Sequence, residues 1–190
     1  MFRFESPQYL YLLLVLVALA AIHYYIIYRK KQQVKRFGDP ELTTACAKEL
    51  LARCPEHDVL ITAESKGIPL VCEMARLNGN ARYVLARKAP KLYMKNVMTV
   101  EVRSITTDHK QTLCLDGGDA EYMKGKRVVI VDDVISTGES LHALEELVRR
   151  AGGNVVGRMA ILAEGDATTR DDIIYLEKLP LFDSEGKPID

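Results

Sequence analysis

The feature that most constrains this chain is the run Val128 to Ser140, VVIVDDVISTGES. Four consecutive β-branched apolar residues predict a strand buried on both faces, as in the middle of a parallel sheet. Asp132 and Asp133 then close the strand at its C-terminal edge, where open α/β sheets bind ligands. Two acceptors side by side suit two vicinal hydroxyls, such as those of a ribose. Ile135, Ser136, Thr137, Gly138, Glu139 and Ser140 follow. They offer backbone N–H groups and hydroxyls at the start of a helix, which makes a phosphate cradle. Gly138 lets the backbone come close to such a group. A plain N-capped helix, with Ser136 or Thr137 as the cap, accounts for the loop but not for two aspartates ending an apolar strand. The run therefore reads as a ribose-phosphate site.

The surrounding pattern agrees with an α/β domain. Helices are expected over Glu41–Arg53, from Pro69 to Leu77 and over Glu139–Ala151, the last ended by Gly152-Gly153. Strands are expected at Val59–Ile61, Tyr83–Leu85, Arg127–Val131, Val155–Leu162 and Ile173–Tyr175. Alternating strands and helices imply a parallel sheet covered on both faces. Lys88 to Gln111 differs: it is polar, basic and weakly periodic, and reads either as a long mobile loop or as a loose hairpin. Gly118 to Arg127 has a glycine and lysine spacing near that of a P-loop, but no Ser or Thr follows the lysine, so it is rejected.

One segment departs from this picture. Tyr9 to Tyr28, YLYLLLVLVALAAIHYYIIY, contains no formally charged residue. As a helix it would reach roughly 30 Å, the thickness of a bilayer's hydrocarbon layer. Arg29, Lys30, Lys31, Lys35 and Arg36 follow it, which predicts a cytoplasmic C-terminal side. A signal peptide cleaved near Ala18-Leu19-Ala20 and a buried core helix are the rival readings. The expected organisation is a short tail (1–8), a transmembrane helix (9–28), a basic linker (29–38) and the α/β domain (39–190). The implied location is the inner membrane, single-pass, with the domain in the cytoplasm; without a working leader it is simply cytoplasmic.

The 190 residues carry no formal net charge, which argues against nucleic-acid binding. Cys46, Cys54, Cys72 and Cys114 show no CxxC spacing and do not cluster with the histidines, so reduced thiols are expected rather than a zinc site. His57, His109 and His142 stand apart, and of these only His109 lies in the expected mobile loop.

The Val128–Ser140 run closely resembles the phosphoribosyl pyrophosphate signature of type I phosphoribosyltransferases. Ile61-Thr62-Ala63-Glu64-Ser65-Lys66-Gly67-Ile68-Pro69 resembles that family's pyrophosphate loop, and Arg87-Lys88-Ala89-Pro90-Lys91-Leu92 is similar to the RK-x-x-KL approach to the flexible loop of adenine phosphoribosyltransferases. Met159 to Glu164 resembles the strand that flanks the base. The resemblance covers about residues 37–180 and implies a parallel-sheet core with a flexible loop, here preceded by one transmembrane helix. It also implies Mg2+ carried mainly by the substrate. By this likeness Asp132 and Asp133 grip the ribose hydroxyls and Ile135–Ser140 hold the 5-phosphate. Ser65, Lys66, Gly67, Arg87, Lys88 and Lys91 would bind the pyrophosphate, with Lys88 also catalytic.

The expected reaction is transfer of ribose 5-phosphate to a purine, adenine favoured. The alternatives are xanthine or another base, and a non-catalytic sensor of phosphoribosyl pyrophosphate. The partners are that substrate, a base, a membrane and, as an allowed assembly, a second copy in a homodimer. Two departures bear on the base. Thr107 stands where adenine enzymes carry a loop glutamate, and Gly165 stands where xanthine enzymes carry a lysine. The leader Phe2–Leu42 also resembles that of Bat-type von Willebrand domain proteins, and it occupies the place where the family usually builds a hood over the base.

Overall fold

Val128, Val129, Ile130 and Val131 are completely buried, and they open β5 (Arg127–Ile135) at the centre of a five-stranded sheet. The computed structural model describes residues 39–103, 110–182 and 188–189, which fall in one unit. The predicted span 9–28, its flanks 1–8 and 29–38, and His109 and Thr107 lie outside the described residues. Among the described residues no helix is long and apolar enough to cross a membrane.

The sheet order is β2-β1-β5-β6-β7, from β1 (Val59–Ala63), β2 (Val84–Ala86), β6 (Asn154–Glu164) and β7 (Ile174–Leu179) around β5. Every pairing in it is parallel. Helices α1 (Pro40–Arg53) and α2 (Gly67–Asn78) pack together on one face, against residues such as Leu60, Val129 and Met159. Helix α4 (Glu139–Arg150) covers the other, where Leu144 and Leu147 join Ile61, Val128 and Ile130 in one core. Each large aliphatic side chain so buried contributes about 1.5–3 kcal/mol.

Chain order explains where a ligand can enter. From β1 the chain passes through α2 to β2 on one side; from β5 it passes through α4 to β6 on the other. The loops after β1 and β5 therefore diverge, leaving a crevice at the carboxyl ends of these neighbouring strands.

Three local expectations change. Strand β5 continues through Asp132 and Asp133 to Ile135, so the acidic pair lies on the strand and not beyond it; pairing with β6 runs to Ile135↔Ala163. Of the two readings for 88–111, the hairpin is realised. β3 (Met98–Arg103) pairs antiparallel with β4 (Lys110–Leu115), in register from Met98↔Leu115 to Arg103↔Lys110. Its driving force is a small apolar face, with buried Val100, Leu113 and Leu115 against α4. Finally, Gly117–Met123 forms a short helix, α3, in the segment rejected as a P-loop. Asp116 initiates it by accepting from Gly118 N at 2.9 Å.

Candidate active site

The crevice between β1 and β5 opens into a cleft of about 300 Å³ lined by Ala63, Ser65, Lys88, Thr112, Leu113, Asp132 and Ser140. It joins residues from four segments distant in the chain. Asp132 is only 8% exposed. The Ser65 hydroxyl donates to its Oδ1 at 3.1 Å, and the Asp133 backbone N–H donates to the same oxygen at 2.9 Å. Ser65 in turn accepts from Gly67 N at 3.1 Å, so the turn after β1 is fastened to the end of β5.

Behind Asp132 lies a smaller hollow of about 50 Å³, lined by Asp132 and the run Val134–Leu141. Gly138 has φ 80°, a left-handed conformation that costs glycine little, and its carbonyl accepts from His142 N at 2.8 Å to start α4. The residues Ile135–Ser140 thus wrap the hollow at a helix N-terminus, where backbone N–H groups favour an anion.

The diphosphate candidates are distributed less evenly. Lys88 lines the cleft. Lys66 is exposed just before α2, and Lys91 is exposed beyond Lys88. Arg87 is held at the rim by Glu64, Nη1 to Oε1 at 2.9 Å, while Glu64 Oε2 accepts from Lys88 N at 3.2 Å. The Arg87 and Cys114 backbones also exchange bonds, Arg87 N to Cys114 O at 2.8 Å and Cys114 N to Arg87 O at 2.6 Å, which fixes Lys88 beside the hairpin. Sequence reasoning gave Glu64, Thr112 and Leu113 no role. The acidic residue next to the Ser65-Lys66-Gly67 turn was the available hint for Glu64; nothing local marked the other two. His57 and His142 do not line the cleft: His57 Nδ1 lies 2.9 Å from Pro55 O, and His142 is near Glu145 on α4, Nδ1 to Oε2 3.7 Å.

Electrostatics single out Asp132. Burial pushes its carboxyl up to about 7, with the adjoining Asp133 carboxyl adding to the rise; the Asp133 N–H and Ser65 hydroxyl pull the other way. The sign follows by linkage. A carboxyl whose folded pKa is raised stabilises the fold fully below its unfolded value near 3.8, and that contribution is lost as pH rises through about 7. Gripping hydroxyls needs the ionised form. Relative to Asp132→Asn, the empty domain is therefore expected to lose thermal stability between about pH 4 and 7.5, while affinity for a ribose phosphate climbs across about pH 6 to 8. Thermal scans and calorimetry at each pH, with Asp132→Asn as the reference, check both slopes. Parallel slopes for the two proteins would remove Asp132 as the cause.

A parallel sheet whose central strand carries two aspartates into a loop wrapped around a hollow at a helix N-terminus, with the Ser65–Gly67 turn facing it, is the architecture of an α/β domain that binds its ligand at the carboxyl edge. Its family is shown by direct comparison: residues 35–185 match the phosphoribosyl transferase domain, and the chain belongs to that family. It is 30% identical over 139 residues to a xanthine phosphoribosyltransferase of Bacillus licheniformis, covering 71% of this chain and 70% of that one. It is 37% identical over 122 residues to an adenine phosphoribosyltransferase of Petrotoga mobilis, covering 64% and 67%. Among solved structures, adenine phosphoribosyltransferase from Rhodothermus marinus superposes with a TM-score of 0.63 at 27% identity, over 75% of this chain and 82% of that one.

Proposed function

We propose that this chain transfers ribose 5-phosphate from phosphoribosyl pyrophosphate to a purine, adenine favoured, releasing pyrophosphate. The observation that carries this reading is the position of Asp132. It is buried in the carboxyl-terminal half of β5, bonded to Ser65 of the facing turn, and it lines both the cleft and the smaller hollow.

In this reading Asp132 and Asp133 accept from the ribose hydroxyls, and the backbone of Ile135–Ser140 with the hydroxyls of Ser136, Thr137 and Ser140 holds the 5-phosphate. Lys88 faces the departing diphosphate, joined by the Ser65-Lys66-Gly67 turn and by Arg87 and Lys91. Transfer at C1 passes through an oxocarbenium-like state. The protein's task is to orient the sugar, offset the charge leaving with the diphosphate, and keep water from the cation. Among the described residues no group of three or more His, Cys, Asp or Glu could hold a metal by itself. The donors that do meet in the cleft are carboxylate and hydroxyl oxygens, which suit Mg2+ arriving with the substrate. When bound, that ion neutralises the diphosphate.

For the base, β6 ends at Glu164 and Gly165 follows with φ 55°. A lysine at that left-handed position would be strained, so a lysine contact to the 2-oxo group of xanthine is disfavoured there. Xanthine is the second reading, favoured by the Bacillus licheniformis relative, which matches over 70% of its own length. The test is turnover of the full chain with Mg2+, phosphoribosyl pyrophosphate and each base in turn. Adenine is expected to lead, with discrimination that can reach roughly 10⁴-fold when a wrong base leaves buried groups unpaired. Faster turnover of xanthine or orotate would overturn the substrate choice. Intact substrate binding without turnover on any base would favour a sensor.

The segment Tyr9–Tyr28 and the basic residues after it support an inner-membrane anchor with the catalytic domain on the cytoplasmic side. The full chain is expected in the membrane fraction, and deletion of residues 1–36 is expected to release it. Uncleaved full-length chain recovered without detergent in the soluble fraction would contradict the anchor.

A further inference from the structure

The loop that wraps the smaller hollow has an electrostatic deficit. Asp132 and Asp133 precede it, Glu139 lies in it, and no lysine or arginine occurs from Val128 to Leu141. No basic side chain is among the described residues lining the hollow, and Lys88 lines the large cleft. A dianionic phosphate entering the hollow would meet the acidic side chains of Asp132 and Glu139 in its lining, a repulsion that backbone N–H groups only partly offset.

A cation reaches this loop from the carboxyl end of the neighbouring strand β6. Arg170 closes the 3-10 turn Gly165–Thr169 that follows β6. A Cβ placed on Gly138 would lie 3.2 Å from Arg170 Nη1. The guanidinium is clamped by Asp172, with Nε donating to Oδ1 at 2.9 Å and Nη2 to Oδ2 at 2.7 Å. That fork uses two of its three nitrogens and leaves Nη1 against the phosphate loop. Asp172 is itself 3.4 Å from Arg158 Nε, and Arg158 pairs with Glu145 of α4, so the clamp is braced on the helix that begins at the loop.

We propose that Arg170 is a further substrate-binding residue, whose Nη1 contacts the 5-phosphate beside Gly138. This rests on the ribose-phosphate reading above. The pre-formed fork means that little side-chain freedom remains to be lost when the phosphate arrives.

The test is calorimetric titration of the full chain with ribose 5-phosphate and, separately, with inorganic pyrophosphate. Arg170→Met is expected to weaken ribose 5-phosphate binding about 10- to 100-fold, the range of one charge-assisted contact, while pyrophosphate affinity stays unchanged. Arg170→Lys should recover part of the loss. Arg170→Gln, neutral but still able to bond Asp172, carries the same expectation as Arg170→Met should the latter fold poorly. Unchanged ribose 5-phosphate affinity would overturn the proposal, as would equal losses for both ligands, the mark of a structural effect. Absence of ribose 5-phosphate binding in the unsubstituted protein would instead overturn the reading on which the proposal stands.

Discussion

Asp132→Asn combined with Asp133→Asn is expected nearly to abolish phosphoribosyl pyrophosphate binding and to leave the domain folded. Each carboxylate lost from a hydroxyl costs about 1.5–3 kcal/mol, because the bond is charge-assisted. Two such losses amount to about 10²- to 10⁴-fold in affinity. Stability should move the other way. Burial and its neighbour Asp133 both disfavour the ionised form of Asp132, so a neutral isostere relieves a cost that the empty protein carries at neutral pH. Calorimetric titration beside a thermal scan at pH 8 reads both effects. Affinity equal to that of the unsubstituted protein would remove the ribose assignment, and a lower Tm would show that the aspartates serve the fold instead.

Gly67→Ala is expected to damage both stability and activity although it adds one methyl group. Its Cβ would lie 2.8 Å from Thr62 Oγ1, 3.2 Å from Asp132 Oδ1 and 3.3 Å from Asp132 Cα. Thr62 is fully buried in β1 and Asp132 Cα belongs to the central strand, so neither can yield cheaply. The turn after β1 must retreat, breaking the Ser65–Asp132 bond of 3.1 Å. Overpacking of this kind costs about 1–3 kcal/mol. The displaced loop should lower kcat/KM about 10²-fold, as small misplacements of reacting groups do. Gly79→Ala is the control. Nothing lies within 4 Å of its Cβ, but φ is 73°, so stability should fall with kcat/KM intact. Wild-type kcat/KM in Gly67→Ala would show that close contact between the two loops is dispensable.

The parts of this molecule legible in its sequence are those encoded in contiguous residues. Apolar continuity from Val128 to Val131, the two aspartates and Gly138 are neighbours in the chain and remain neighbours in space. The cleft was less legible because its walls depend on pairing at a distance. Glu64 acts through Arg87, 23 residues away, and no local pattern announces that bond. The hairpin was ambiguous because the apolar residues described on its face, Met98, Val100, Leu113 and Leu115, are diluted among polar ones, and they become a face when the strands pair in one register. Helix α3 was missed because Gly117-Gly118 suggests a loop, whereas the Asp116 cap outweighs the cost of glycine in a first turn. The extent of β5 was underestimated because aspartate is a poor strand residue, and pairing with β6 overrides that preference.

The measurement that tests the ribose-phosphate site most directly is a crystal structure of this protein with phosphoribosyl pyrophosphate and Mg2+. It should show the ribose hydroxyls on Asp132 and Asp133, the 5-phosphate within the Ile135–Ser140 loop, and the diphosphate toward Lys88 and the Ser65–Gly67 turn. A 5-phosphate bound outside that loop, or a ribose that does not touch Asp132 or Asp133, would contradict it.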